Sequence, residues 1–150
     1  MEYGSIEREI YVEASPEVVY EVVSKPEHVS QWWTDDAHFD SAPGAVGELV
    51  WGDRVEVRAM AVVDADPPRL FSFRWCYPGD KVEDGAASLL VTFELVASGT
   101  GTRILLTETG FREMGWEEAK VAEQHGEHVT GWDHYLPRLG EYLARLVRSQ

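Results

Sequence analysis

The 150-residue chain has little cysteine, few basic residues and no long apolar run. A single cysteine, Cys76, excludes an internal disulfide framework and is typical of a reducing compartment, so we expect a cytoplasmic protein. Thirteen Lys and Arg stand against 27 Asp and Glu, a formal net charge of −14. Nucleic acids and anionic membranes bind proteins through cations, so this charge argues against both as partners. The sequence has neither the ~18 consecutive apolar residues that span a bilayer nor a secretory signal.

What the chain does contain is an ordinary globular composition, with 44% hydrophobic and 27% charged residues. A chain of this length corresponds to one domain that is able to fold without disulfides. We find no internal repeat and no linker, so residues 1–150 are interpreted as a single domain.

The first third predicts a strand and two short helices. Residues 6–13 alternate as a strand. Ser15 and Pro16 then supply the N-cap and the first position of a helix that ends before Pro26. A second short helix follows, and the Asp-, Gly- and Pro-containing segment 34–45 predicts a loop.

The middle third alternates between apolar and polar residues, which predicts five more strands and therefore six in all. Their predicted bounds are 47–51, 54–63, 70–75, 88–96 and 102–109. On the second of these, Arg54, Glu56 and Arg58 share one face, which we interpret as the solvated outer side. The segment 64–68 predicts a turn, because two consecutive prolines do not fit within a central strand.

The last third predicts one long amphipathic helix. From about Trp116 to Arg148, apolar positions recur at steps of three and four over ~45 Å, with Pro137 as the place to expect a kink. Strands beside segregated helices indicate an α+β fold. We expect a curved antiparallel six-stranded sheet wrapped around a long C-terminal helix, with two short helices between strands 1 and 2. Such an arrangement leaves a gap between sheet and helix.

Short motifs follow one another in order over nearly the whole chain. They are Ala14–Tyr20, Trp32-Trp33, Asp64–Leu70, Gly101–Ile104, Gly110-Phe111 and Gly131-Trp132. This ordered set resembles the START-like (SRPBCC, helix-grip) superfamily, and within it the branch named after the activator of the heat-shock-protein-90 ATPase. The resemblance implies an internal cavity and small-molecule binding more than catalysis. The family name also brings a stress-response, co-chaperone role, which belongs to particular eukaryotic members. The family often has a histidine where this chain has Glu108, so ligand chemistry does not carry over through that position.

Large aromatic side chains on the predicted elements are expected to face the gap. They are Trp33, Trp51, Phe73, Trp75, Phe93 and Trp132. Tryptophan combines a large apolar area with one N–H group, so a cluster suits a planar, mostly apolar ligand. The alternative for each residue is core filling, and both hold where a pocket wall is also core.

Glu108 and His128 are the candidate polar ligand contacts. By strand parity Glu108 points into the apolar face with Ile104 and Leu106, where a carboxylate needs either a raised pKa or an arginine or histidine partner. The alternative is a strand-end residue that reaches water. His125 and His128 are spaced i, i+3 on the long helix, and one of them is expected to hydrogen-bond Glu108. The patterns of common zinc sites are absent, so we expect no metal and no cofactor.

Three functions remain open from the sequence. The first is binding of a small hydrophobic ligand, aromatic or polyketide- or lipid-like, by the six aromatic residues together with Glu108 and His128. The second is a cyclase or aromatase-type enzyme in which Glu108 or His128 moves a proton. Several polar groups converging inside the cavity would favour it. We find no carboxylate pair and no Gly-x-Ser-x-Gly motif, so we name no catalytic residue and do not expect an enzyme.

The third function is a protein-binding module that docks on a chaperone. It predicts an exposed apolar patch, and the acidic surface would match a basic partner. An edge strand also offers a route to a homodimer.

Overall fold

The computed structural model of the protein describes residues 4–81 and 87–148. The strands are β1 (Ser5–Val12), β2 (Asp36–His38), β3 (Val46–Trp51), β4 (Glu56–Asp66), β5 (Leu70–Trp75), β6 (Leu89–Ser98) and β7 (Gly101–Thr109). The helices are α1 (Pro16–Ser24), α2 (Pro26–Trp32) and α3 (Glu118–Arg148), with a 3-10 turn at Phe111–Met114. All described strands pair antiparallel in one sheet of order β1-β7-β6-β5-β4-β3-β2. This architecture is the predicted α+β fold.

The two short helices begin where the local chemistry predicts. Ser15 accepts the Val18 backbone N–H at 3.3 Å, and Pro16 occupies the first position of α1. Lys25 is extended (φ −108°, ψ 131°) because the residue before a proline is disfavoured in the helical region. The break lets α2 start anew at Pro26 and run towards α3, which it contacts.

The core lies between the inner face of the sheet and α3. The predicted stripe of α3 runs from Val121 to Leu146. Its buried members are Val121, Trp132, Leu136, Leu139 and Leu143, whereas Tyr135 and Leu146 are half-buried. On the sheet, Phe73 pairs with Val91, and Val91 pairs with Glu108. Side chains of directly paired residues share a face, so this register places the Glu108 carboxylate in the apolar interior, 0% exposed.

The prediction of six strands is wrong by one, because β2 lies in the segment interpreted as a loop. Its three residues pair with β3 as Asp36↔Val50, Ala37↔Leu49 and His38↔Glu48. Neither Asp nor Ala favours strands, so tertiary pairing at the sheet edge forms β2. Gly47 permits the close approach, since a Cβ there would overlap the His38 carbonyl oxygen.

The face assigned to β4 is also wrong. Arg58, Met60 and Val62 are buried, whereas Val55 and Val63 are 87% and 40% exposed. The Arg58 side therefore faces inwards. Met60 and Val62 share the parity of Arg58, so the alternation in the sequence already indicates that this face is apolar. The charged residues Arg54, Glu56 and Arg58 on the same face obscure that pattern.

Strand β4 also begins and ends later than the predicted 54–63. It runs from Glu56 to Asp66 and so includes the first three residues of the predicted turn 64–68, with a register shift between Val62 and Asp64. The buried Ser72 hydroxyl receives the Asp64 N–H at 3.1 Å and donates to the Asp64 carboxylate at 2.8 Å, which stabilises this continuation. Among the helices of the described residues, none combines the length and apolarity needed to cross a membrane.

Candidate ligand pocket

A pocket of about 260 Å³ lies where β3, β4 and β5 face the middle of α3. Four tryptophans line it, and each comes from a different element. They are Trp33 after α2, Trp51 at the end of β3, Trp75 at the end of β5 and Trp132 in α3. The fold therefore gathers at one place indole rings that are up to 99 residues apart in sequence.

Trp33 is the centre of this aromatic wall. Its ring centroid lies 5.6 Å from Trp51, 5.1 Å from Trp75 and 5.1 Å from Trp132. These separations are typical of favourable aromatic pairs. Trp33, Trp75 and Trp132 are only 6%, 5% and 3% exposed, so the same rings form both the pocket wall and the core.

Two indole N–H groups and one ring nitrogen of His128 converge on the buried carboxylate of Glu108. Trp75 Nε1 donates to Oε2 at 2.8 Å, Trp132 Nε1 to Oε1 at 2.9 Å, and His128 Nδ1 lies 3.0 Å from Oε1. The expected histidine partner is thus His128. Hydrogen bonds to a carboxylate are charge-assisted, and together they offset the cost of burying it. The same bonds fix the orientation of two pocket tryptophans.

The network extends from His128 to Tyr77 and Gln124. His128 Nε2 lies 3.0 Å from the Tyr77 hydroxyl, which donates to Gln124 Oε1 at 2.7 Å. Burial raises the pKa of Tyr77, although the nearby Arg58 charge opposes that effect. Both ring nitrogens of His128 are therefore engaged by protein groups, one by Glu108 and the other by Tyr77.

Arg58 contributes a buried cation to the pocket wall. Its Nε donates to the Cys76 carbonyl at 2.8 Å, and its Cζ lies 3.6 Å from the Trp75 ring centroid and 4.4 Å from that of Tyr77. Burial lowers the pKa of the guanidinium, and the nearby Tyr77, Glu108 and Glu56 oppose that shift. Arginine nevertheless stays charged in proteins. Its Nη2 is buried and has no hydrogen-bond partner.

A family model described as Activator of Hsp90 ATPase homolog 1-like protein matches residues 13–144. The chain belongs to this family. A search of curated proteins gives no significant match.

Solved structures show the same fold. Protein MLL2253 from Mesorhizobium loti has a TM-score of 0.78 at 21% identity, covering 94% of this chain and 97% of its own. DynU16, described as a protein in the dynemicin biosynthetic locus, scores 0.72 at 22% identity over 94% of this chain and 47% of its own. The Aha1 dimer from Colwellia psychrerythraea scores 0.71 at 18% identity, covering 93% and 95%.

This member of the Activator of Hsp90 ATPase homolog 1-like family brings five of the eight predicted contacts to the pocket. They are Trp33, Trp51, Trp75, His128 and Trp132. The other three lie behind this wall and are not among its described lining residues. Phe73 packs on Trp33 and Trp75 at 5.8 and 6.3 Å, Phe93 lies edge-on to Trp132 at 6.3 Å, and Glu108 holds the indoles.

Five further lining residues were not predicted as ligand contacts. They are Glu56, Arg58, Glu127, Gly131 and Tyr135. The parity of β4 could have found Glu56 and Arg58, which share a face with Met60. Glu127 and Gly131 flank the α3 stripe and Tyr135 belongs to it, and periodicity alone does not distinguish a pocket rim from core or solvent.

The two helical histidines predicted to line the gap have separate roles in this family member. His125 Nε2 lies 2.8 Å from the Ser5 backbone carbonyl, whereas His128 contacts Glu108. Within residues 4–81 and 87–148, no group of three or more His, Cys, Asp or Glu side chains is arranged to hold a metal ion.

A second depression, of about 520 Å³, is lined by α1, by the segment between β2 and β3, and by the turn after β4; its residues include Tyr20, Ser24, Ser41 and Pro67. It is larger, but tryptophan is absent from its described lining. The tryptophan pocket is the better candidate site, because it combines aromatic walls with a buried charged network.

Proposed function

We propose that the protein binds a small, planar, mostly apolar ligand in the tryptophan pocket. The convergence of four indole rings on one cavity carries this proposal, because flat aromatic surfaces bind flat ligands by stacking and apolar burial. A volume of about 260 Å³ lies just below the ~300–1,000 Å³ of sites for drug-sized ligands, so it favours a compact ligand of two or three fused rings.

Rigidity of the walls supports binding further. Glu108 holds the indole N–H groups of Trp75 and Trp132, and each of these rings also packs against Trp33. A pocket whose walls are ordered before the ligand arrives loses little conformational entropy on binding. A pre-organised apolar pocket is therefore what these contacts favour.

The cyclase alternative receives less support from the same network. Proton transfer needs an acid or base with a free atom directed at the ligand. Glu108 lies behind the wall with both oxygens accepting hydrogen bonds, and both His128 nitrogens are engaged. Several polar groups do converge at the pocket, as an enzyme requires, but neither of the predicted proton carriers, Glu108 and His128, has a free atom for the ligand. We therefore propose binding ahead of turnover.

The comparisons agree with a small-molecule role. DynU16 is described as a protein in a biosynthetic locus, and it shares the fold of this chain. At 22% identity this likeness concerns the fold, so the ligand of this chain must come from its own pocket.

A second candidate is assembly with another copy of this chain. The Colwellia psychrerythraea neighbour is described as a dimer. Here β1 and β2 are the edge strands of the described sheet. Val46 on β3 is 49% exposed, and Val55 in the turn before β4 is 87% exposed. A chaperone partner would use the same kind of surface. Light scattering of the purified protein measures whether it dimerises.

Isothermal titration calorimetry with 2-naphthamide, a neutral bicyclic probe, tests the binding proposal. We expect saturable binding to the wild type, and weaker binding to Trp132→Phe, which loses ring area and the N–H held by Glu108. Trp116→Phe is the matched control, since Trp116 is outside the described pocket lining. Absence of binding of this probe and of related bicyclic arenes to folded protein would refute the proposal.

A further inference from the structure

Arg58 is a buried cation whose donors are only partly satisfied. The side chain is 5% exposed, and its Nη2 atom is buried without a hydrogen-bond partner. Among the ion pairs of the described residues, none includes Arg58. The guanidinium therefore enters the pocket wall with Nη2 unpartnered and without a carboxylate in ion-pair contact, and the charges of Glu108 and Glu56 act on it only from farther away.

A buried guanidinium of this kind destabilises the protein unless another group accepts from Nη2 and neutralises the charge. A buried donor without an acceptor loses its hydration, and buried charges in proteins are normally paired. The rings of Trp75 and Tyr77 stabilise the faces of the guanidinium, and the Cys76 carbonyl satisfies Nε. These three partners hold Arg58 in place and leave Nη2 for an acceptor from elsewhere.

The rest of the pocket lining indicates which acceptor fits. A carboxylate accepts from arginine and also neutralises its charge, which a neutral carbonyl does not do. Glu56 and Glu127 also line the pocket, and their negative charges repel any anion, a dianion about twice as strongly as a monoanion. Among anions, a monoanion that contacts the Arg58 guanidinium is therefore opposed less than a phosphate dianion is.

We propose that the ligand of the tryptophan pocket is an aromatic monocarboxylate, whose ring lies among the indoles and whose carboxylate is bound by Arg58. This inference rests on the binding function proposed above and adds the ligand class and the residue that recognises it. Arg58 is then the specificity-determining residue of the pocket, and the tryptophans supply the area of apolar contact.

A set of three bicyclic probes tests the inference by calorimetry: 2-naphthoate, its neutral isostere 2-naphthamide, and the cationic 2-naphthylmethylammonium. With wild-type protein we expect 2-naphthoate to bind about tenfold more tightly than the amide, with the ammonium weakest. Added salt should weaken the binding of 2-naphthoate and leave that of the amide nearly unchanged.

Variants of Arg58 assign the preference to this residue. Arg58→Gln should abolish the preference, so that 2-naphthoate and the amide bind the variant with equal affinity. Arg58→Lys keeps the charge but loses the planar fork, so it should be intermediate. Arg74→Gln is the matched control, because Arg74 is exposed on β5 and the substitution removes the same charge outside the pocket. It should change neither the affinity for 2-naphthoate nor that for the amide.

The outcomes separate this inference from the proposed function. Equal binding of 2-naphthoate and 2-naphthamide, or tighter binding of the ammonium, would overturn the carboxylate assignment while leaving a ligand pocket in place. Failure of all three probes to bind folded protein would overturn both. If Arg58→Gln does not fold, the ranking of the three probes with wild-type protein and their affinities for Arg58→Lys test the carboxylate assignment by the same criteria.

Discussion

Trp132 donates its indole N–H to Glu108 Oε1 over 2.9 Å and so joins the middle of α3 to β7 inside the protein. Trp75 on β5 makes the equivalent bond to the other oxygen, at 2.8 Å. One carboxylate thus connects two strands and the long helix, and it does so through two of the rings that line the pocket. Stability and pocket shape therefore depend on the same side chain.

Replacement of Glu108 tests how much this junction contributes. Glu108→Gln keeps the shape of the side chain, but it leaves one oxygen for two indole N–H donors and places an NH2 group where an acceptor stood. Leaving buried donors unsatisfied should lower the free energy of unfolding by about 2–4 kcal/mol. Urea unfolding followed by circular dichroism measures it. Glu56→Gln, the same change at the half-buried pocket lining, should stay within about 0.5 kcal/mol. Equal stability of the two variants would contradict a structural role for Glu108.

The Tyr77 hydroxyl predicts an alkaline dependence of stability. Burial raises the pKa of Tyr77, so the folded protein holds the hydroxyl proton more tightly than the unfolded chain does. This contribution is complete below the unfolded pKa of about 10 and is lost as pH rises beyond it. Tyr77→Phe should therefore show a shallower loss of stability above about pH 10 than the wild type.

The same variant also has a measurable effect at neutral pH. Tyr77→Phe removes the hydroxyl that lies between Gln124 and His128, at a cost of about 1 kcal/mol. Denaturant unfolding at pH 7 and pH 11 gives both quantities. Parallel pH profiles for wild type and variant would contradict the role of Tyr77 at high pH.

The Arg8–Asp133 ion pair predicts an acid dependence of opposite sign. Arg8 Nε donates to Asp133 Oδ1 at 2.8 Å, and this bond lowers the pKa of Asp133. The pair stabilises the fold above the unfolded pKa of about 3.9, and the effect is lost as pH falls. Both side chains are more than a third exposed, so Asp133→Asn should lower the free energy of unfolding by only a few tenths of a kcal/mol at pH 7.

This difference in the free energy of unfolding between variant and wild type should vanish near pH 2 to 3. Asp53→Asn, in an exposed turn, serves as the control. A difference that persists there would show that the cost is not electrostatic.

Periodicity predicts the face on which a residue lies, and it succeeds where neighbours of the same parity agree. Glu108 follows Ile104 and Leu106 inwards, and Trp132 lies on the apolar stripe of α3, so both were expected to face the gap. How far a side chain lies from the pocket is a different quantity, because it depends on which residues pack between that side chain and the pocket. Phe73 was placed on the correct face, yet Trp33 and Trp75 separate it from the pocket.

Arg58 and β2 show why the rest was not predictable from local pattern. An arginine on a strand is normally solvated, and this one is buried because Trp75, Tyr77 and the Cys76 carbonyl surround it. Those partners lie 17 to 19 residues away in sequence, on the next strand and the loop that follows it. Likewise, β2 exists because β3 pairs with it. In both cases tertiary contacts override residue preference.

Gly131 allows the pocket to be filled without disturbing the core. It lies in α3 and lines the pocket, and a Cβ at this position would meet no atom within 4 Å. Gly131→Leu replaces a poor helix former by a good one, so the stability should be maintained or raised by up to about 1 kcal/mol. Its side chain should occupy space in the pocket and weaken binding of 2-naphthamide at least tenfold.

Gly126→Leu, at a helix position with equally open surroundings but outside the described lining, should keep wild-type affinity. Calorimetry and thermal unfolding of the two variants measure both effects. Unchanged binding by folded Gly131→Leu would place the ligand elsewhere on the protein, because residue 131 lines the pocket and a leucine there takes up part of its volume of about 260 Å³.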